Sequence, residues 1–264
     1  MLLPFDAGAL CKAERIVILA PAAADIVEQL GCSENVVGVT NSIEEFPGAE
    51  RVGTHINPCI ECIAVLRPSF LITSANFPAG LSERLKTEQY IYEPHDMQAI
   101  LGAIDSLGKQ LGSERKAGEL ITLYSGMAKN LIPPKNVKTM PKVLYETRSD
   151  PLTLAGGNTI MQDALERVGF NFILASARTG QTSAEFVLKS NADYYIYQVG
   201  PMNMNPIPPK ERDGWKRLRA CVWKVDEKVF ARPNTKIFEE VVRLNKILAS
   251  EDPCKAGRKE GYKP

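Results

Sequence analysis

From Met97 onward, apolar residues return at steps of three and four: Met97, Ile100, Leu101, Ile104, Leu107 and Leu111. Past Gly112 and Ser113 the pattern resumes with Ala117, Leu120, Ile121, Tyr124, Met127, Ala128 and Leu131. This spacing asks for helix with one buried face, and Asp96 in front of it suits an N-cap. Gly112-Ser113 predicts a break and a fresh start, and Pro133-Pro134 a stop, because proline cannot continue a helix. Gly108, Gly118 and Gly126 each cost about 1 kcal/mol relative to alanine, so tertiary packing must hold the segment together. Both flanks repeat a βα pattern. The stretch therefore either joins two lobes or is a crossover helix inside one domain.

The 264 residues allow one large domain or two of about 120 residues each. A formal net charge of +1, with acids and bases interspersed, gives no electrostatic reason to expect nucleic acid or an anionic membrane as partner. No apolar run reaches the ~18 residues of a membrane span. Residues 1–10 have no basic n-region and too short an apolar stretch for a secretory leader, and Leu10 before Cys11 is a poor match to a lipid-attachment signal. Six cysteines, Cys11, Cys32, Cys59, Cys62, Cys221 and Cys254, are compatible with an oxidising compartment without requiring one.

Taken in order, Ile16 to Leu19, Val36 to Val39, Phe70 to Thr73 and Tyr90 to Tyr92 read as strands. Helices follow the first of these up to Gly31, Pro58 up to Leu66, and Gly80 up to Thr87. After a linker, Lys142 to Glu146, Leu152 to Ala155, Tyr194 to Tyr197 and Val222 to Val225 read as strands. Helices are expected from Ile160 to Val168, after Ser183, around Trp215 to Leu218, and from Lys236 to Leu248. Gly156-Gly157-Asn158 reads as a turn, and 251–264 as a charged, frayed tail. Strands alternating with helices imply mostly parallel sheets covered on both faces. The expected divisions are 12–94, an interlobe helix over 95–132, 141–250, and the tail.

The halves echo one another. Glu61 through Pro68 to Ile72 has the spacing of Glu185 through Ala192 to Ile196. Each glutamate falls in a first helical turn, where it offsets the helix dipole or stands as an exposed docking charge. Cys59-Ile60-Glu61-Cys62 is compatible with a structural disulfide or inert thiols, half of a metal site, or a redox pair. No second such pair exists to complete a metal site. No GxSxG, phosphate loop, HExxH or dinucleotide fingerprint occurs, and two histidines, His55 and His95, cannot build a multi-histidine centre. No catalytic and no metal-ligating residues are therefore expected. His55, Tyr145, Arg148, Arg178, Asn203 and Trp215 fall in loops or at strand ends, where α/β folds take ligands. The two arginines suit carboxylate or phosphate groups.

Several stretches resemble one family. These are Arg15-Ile16-Val17-Ile18-Leu19-Ala20-Pro21 with Asp25, Val36-Val37-Gly38-Val39, Val52-Gly53, and Glu61 leading through Leu66-Arg67-Pro68 to Leu71-Ile72. In the second half come Leu154-Ala155-Gly156-Gly157-Asn158, Gly169-Phe170-Asn171, Ser183-Ala184-Glu185, and Trp215-Lys216-Arg217-Leu218-Arg219-Ala220 running to Val229. In order and spacing they are similar to the periplasmic or surface-attached binding proteins that serve ABC importers of vitamin B12, iron siderophores and haem. The vitamin B12 branch looks nearest.

The resemblance implies two Rossmann-like α/β lobes joined by a long backbone helix, with a metal chelate held between them. It implies delivery to an ABC permease and its ATPase, with Glu61 and Glu185 as the docking glutamates of the two lobes. It also implies a monomer that is periplasmic or anchored at the outer face of the membrane, with no intrinsic cofactor and no enzymatic activity. The haem branch commonly places a tyrosine in the first-lobe loop; Gly53-Thr54-His55-Ile56-Asn57 offers His55 instead. The polar set of Tyr145, Arg148 and Arg178 suits an anionic ferric siderophore or an oxyanion such as molybdate, while Asn203 and Asn205 could meet the amides of a corrinoid. The rival readings are an enzyme with a metal cofactor held by reduced Cys59 and Cys62, and a metal-chelate chaperone without a permease.

Overall fold

The strands β1 (Ile16–Ile18) and β4 (Phe70–Thr73) bury every side chain they carry, which requires cover on both faces of their sheet. The structure, a computed structural model, describes residues 11–75, 77, 80–133, 140–251 and 253–254. Its internal contacts separate two units. The first comprises the described residues up to Pro94 together with Gln98–Tyr124, and the second His95–Met97 together with those from Ser125 onward.

In the first unit β2 (Val36–Val39), β3 (Glu50–Arg51) and β5 (Glu88–Ile91) complete a five-stranded sheet of order β3-β2-β1-β4-β5, parallel throughout. The chain reverses its direction of winding between β1 and β4, as in a Rossmann-like sheet. The helices α1 (Ala24–Gln29), α2 (Ile60–Leu66) and α3 (Leu81–Leu85) form the connections. Ile63 of α2 packs with Val17, Leu19, Val52 and Leu71. Gly38 makes that approach possible, since a Cβ there would stand 2.5 Å from the Leu66 Cδ1. A disulfide joins Cys11, the first described residue, to Cys32 just after α1.

The expected helical stretch is two helices, α4 (Met97–Leu111) and α5 (Glu114–Lys129), parted where Gly112 takes φ +71°. Gly108, in the last turn of α4, is required for α5 to pack there, because a Cβ on it would lie 2.4 Å from the Ala117 Cβ. Gly102, Gly118 and Gly126 have open space instead. The Asp163 carboxylate accepts the Met97 N–H at 2.9 Å, and Tyr124 donates to the Gln29 Oε1 at 2.6 Å. The α5 helix passes from the first unit into the second after Tyr124, so this stretch joins two lobes.

In the second unit β6 (Lys142–Ser149), β10 (Tyr194–Val199), β11 (Cys221–Asp226) and β8 (Asn171–Phe172) run parallel. Two strands, β7 (Leu152–Leu154) and β9 (Gly180–Gln181), extend the sheet antiparallel. The helices are α6 (Ile160–Val168), α7 (Ala184–Lys189), α8 (Glu227–Phe230) and α9 (Lys236–Ala249). Phe170, Tyr194 and Trp223 meet edge to face with centroids 5.0–5.7 Å apart. A disulfide joins Cys221 to Cys254.

Trp215 to Leu218, expected as a helix, is a pair of turns closed by Trp215 N–H to Arg212 O and Leu218 N–H to Trp215 O. The readings of 1–10 and of most of the linker and tail lie outside the described residues.

Candidate ligand and docking surfaces

Parallel sheets take ligands beyond the carboxyl ends of their strands. In the first unit that end carries the loop after β3. Gly53, at φ +90°, pairs with Pro58; Thr54 and Asn57 bond each other, the Asn57 N–H to the Thr54 Oγ1 at 3.0 Å. This tight loop holds His55 exposed and leaves Ile56 83% accessible. The α2 helix starts directly after it. Cys59 is its N-cap, bonded to Cys62 as a disulfide, and Glu61 is exposed in its first turn. Cys59 and Cys62 are thus joined to each other, and among the described residues no group of three or more His, Cys, Asp or Glu is placed to hold a metal.

In the second unit the corresponding end is organised around Glu146, whose side chain is wholly buried. Arg212 grips it with both ends of the guanidinium, at 2.5 and 2.8 Å, and Tyr195 donates to the same carboxylate. Arg212 also donates to the Ile207 carbonyl at 2.8 Å and lies 4.9 Å above the Trp215 ring. Burial works against the Arg212 charge, but hydrogen bonding and proximity to Glu146 outweigh it and raise its pKa. Burial and the neighbouring Glu146 push the Tyr195 phenol well above its ordinary value, so it stays a neutral donor.

A second set of bonds pins the other end of the same loop. The Asn203 Oδ1 accepts from the Ser149 N–H and hydroxyl, each at 2.9 Å, while its Nδ2 donates to the Gln198 carbonyl at 2.8 Å. The Glu227 carboxylate accepts the Met202 N–H at 2.7 Å, fitting beside Gly200, where a Cβ would sit 2.5 Å from the Glu227 Cβ. Between these anchors Met202, Met204 and Ile207 stand 58%, 77% and 60% exposed. Three large apolar side chains held out to water on one braced loop make it a candidate binding surface.

The sequence-expected residues divide accordingly. Tyr145 is inside, stacked on Phe230 and donating to the Gln198 Oε1 at 3.0 Å. Asn203 and Trp215 are also buried and brace the loop from beneath. Arg148 and Arg178 are exposed, at the end of β6 and in the loop before β9. The Arg178 backbone crosses so close to Gly156 that a Cβ there would meet it at 2.2 Å, which explains the Gly156-Gly157 turn. The residues that the sequence reading passed over are Glu146, Arg212, Met202, Met204 and Ile207. Met202, Met204 and Ile207 carry one sequence signal, large apolar side chains alternating with prolines and asparagines, and Glu146 and Arg212 carry none locally.

Glu185 occupies in α7 the place that Glu61 has in α2, two residues after the N-cap and nine before the next strand. Ser183 caps α7, and Glu185 pairs with Lys189 at 2.6 Å, both well exposed. A cavity of about 250 Å³ beside Arg217 and Arg219 lies at the other end of α7, where the strands begin, away from this surface.

A sequence profile of the periplasmic binding protein family matches residues 16–220. The chain belongs to that family. It is therefore a binding protein rather than an enzyme, working in the periplasm or at the membrane surface. It is 24% identical over 253 residues to the uncharacterized ABC transporter substrate-binding lipoprotein YvrC of Bacillus subtilis strain 168, covering 88% of this chain and 78% of that one. Its fold matches that of the periplasmic vitamin B12 binding protein BtuF of Vibrio cholerae with a TM-score of 0.71 at 20% identity, covering 90% and 99% of the two chains. The periplasmic heme binding protein HutB of the same organism matches with a TM-score of 0.73 at 17% identity, covering 89% and 99%. The vitamin B12 branch, expected to be nearest, is not favoured over the haem binders. No helix among the described residues is long and apolar enough to cross a membrane.

Proposed function

We propose that this binding protein captures an iron or cobalt chelate with an apolar face and delivers it to an ABC permease and its ATPase. The observation that carries the reading is the braced loop presenting Met202, Met204 and Ile207 to solvent. A bare oxyanion such as molybdate would gain nothing from such a row, whereas a tetrapyrrole, a corrinoid or a lipophilic ferric siderophore would bury it. Arg148 and Arg178, both exposed, can meet the acidic groups of such a chelate, and His55 on its tight loop can reach a metal or a rim group. Tyr145, Asn203 and Trp215 support the loop. The protein works as a monomer, and Glu61 and Glu185 engage basic residues of the permease.

Native mass spectrometry of the protein with haem, cobalamin, a ferric siderophore and molybdate tests the reading. A one-to-one mass gain with one of the three chelates, weakened about tenfold or more by Met204→Glu without a change in unfolding midpoint, supports it. Binding of molybdate alone overturns it. Reversing Glu61 and Glu185 to lysine should lower transport while leaving chelate binding intact; unchanged transport removes the docking role.

A further inference from the structure

The three disulfides differ in access and in the length of chain they close. Cys11 and Cys32 are 9% and 0% exposed and 21 residues apart, and Cys221, 8% exposed, lies 33 residues from the half-buried Cys254. Cys59 and Cys62 are only 3 residues apart, Cys59 half-buried and Cys62 exposed. Opening a short ring releases little chain entropy, so its two thiols stay near one another and the fold persists. Opening either longer ring frees a much larger loop. The Cys62 N–H points at the Cys59 sulfur at 3.2 Å, a hydrogen bond that would stabilise a thiolate there.

We infer that Cys59–Cys62 is a thiol-exchange site for an extracytoplasmic dithiol oxidoreductase, while the other two disulfides are structural. The donor's thiolate attacks the exposed Cys62 Sγ. The Sγ–Sγ bond breaks, and its electron pair leaves on Cys59 as the thiolate that the Cys62 N–H already faces. The donor's second thiolate then attacks the donor sulfur of the mixed disulfide and releases Cys62. Two electrons and two protons pass to the cystine, and the donor becomes a disulfide. Because Glu61 lies inside the closed ring, opening it also removes a covalent constraint from the turn bearing the proposed docking carboxylate. That consequence rests on the permease reading; the exchange itself does not.

The full protein is incubated with graded dithiothreitol, quenched with N-ethylmaleimide and mapped by peptide mass. Cys59 and Cys62 should be labelled at reductant concentrations about tenfold or more below those that open the other pairs, with the circular dichroism unchanged. Simultaneous opening of all three pairs, or opening of Cys59–Cys62 last, overturns the proposal. A thioredoxin-type donor lacking its resolving cysteine should be trapped on Cys62; trapping on Cys59 overturns the assigned leaving group. Neither readout depends on chelate binding, so failure here and failure of the transport reading are distinguishable.

Discussion

The Asn245 side chain of α9 holds the chain at Ile132 by both of its backbone groups: its Oδ1 accepts the Ile132 N–H at 2.7 Å and its Nδ2 donates to the Ile132 carbonyl at 3.0 Å. The same Nδ2 reaches the Val168 carbonyl at 3.0 Å, so one amide, 3% exposed, closes the segment after α5 onto α6 and α9. Asn245→Ala removes these three hydrogen bonds, the one to the Val168 carbonyl fully buried, and should cost about 2 kcal/mol. Urea unfolding measures the loss, and amide hydrogen exchange at Ile132 should quicken ahead of global unfolding. Unchanged Ile132 protection would show that the clamp is not needed there.

Glycines of the joining helices should respond with opposite signs. Gly102→Ala meets open space in an exposed helical position and should stabilise by about 1 kcal/mol. Gly108→Ala drives a methyl into Ala117 and should destabilise by about 1–3 kcal/mol. Thermal unfolding of the two variants side by side decides between packing and propensity, and the Gly108→Ala deficit should shrink in a background carrying Ala117→Gly.

The Glu146–Arg212 pair is buried, so removing one partner strands the other. Arg212→Ala should cost about 3–5 kcal/mol, and Glu146→Leu combined with Arg212→Met clearly less than the sum of its single changes. A double-mutant cycle in denaturant gives the coupling. Chelate affinity should fall in Arg212→Ala at temperatures where the protein remains folded, because Ile207 loses its backbone anchor.

Burial raises the Glu227 pKa above its ordinary carboxylate value, against the favourable Met202 N–H bond. The folded state therefore holds a proton on Glu227 over a pH range where the unfolded chain has released it. Stability contributed by this group is present below the unfolded pKa and declines as pH rises to the folded one. Glu227→Gln keeps an acceptor for Met202 and removes the charge. It should stabilise the protein at pH 7.5 and have no stabilising effect below the normal carboxylate range, as read from urea midpoints at the two pH values.

The sequence made the frame legible where periodicity was long or burial continuous. The strands of Ile16 to Ile18 and Phe70 to Thr73, the helix break at Gly112 and the matched placement of Glu61 and Glu185 all follow from spacing. Short elements escaped, since β3, β8 and β9 have two residues each and α8 begins immediately after β11, with Asp226 as its cap. At the candidate ligand surface the difficulty was direction. β6 is buried from Val143 through Thr147, so alternation cannot tell which side chains face inward, and Tyr145 proves to be core. The Glu146 to Arg212 bond spans 66 residues and has no local signature.

The loop bearing Met204 is fixed at Met202, Asn203, Ile207 and Arg212 before any cargo arrives. On the proposed reading, capture on this loop need not wait for backbone to fold, so the on-rate should follow solvent viscosity and diffusion rather than the temperature dependence of a loop rearrangement. What is left to order is a few thioether and alkyl rotors, about 0.5–1.5 kcal/mol for each side chain immobilised. Those rotors are also the adaptable part: unbranched methionines can reshape themselves to cargos of different outline while the frame beneath them stays still.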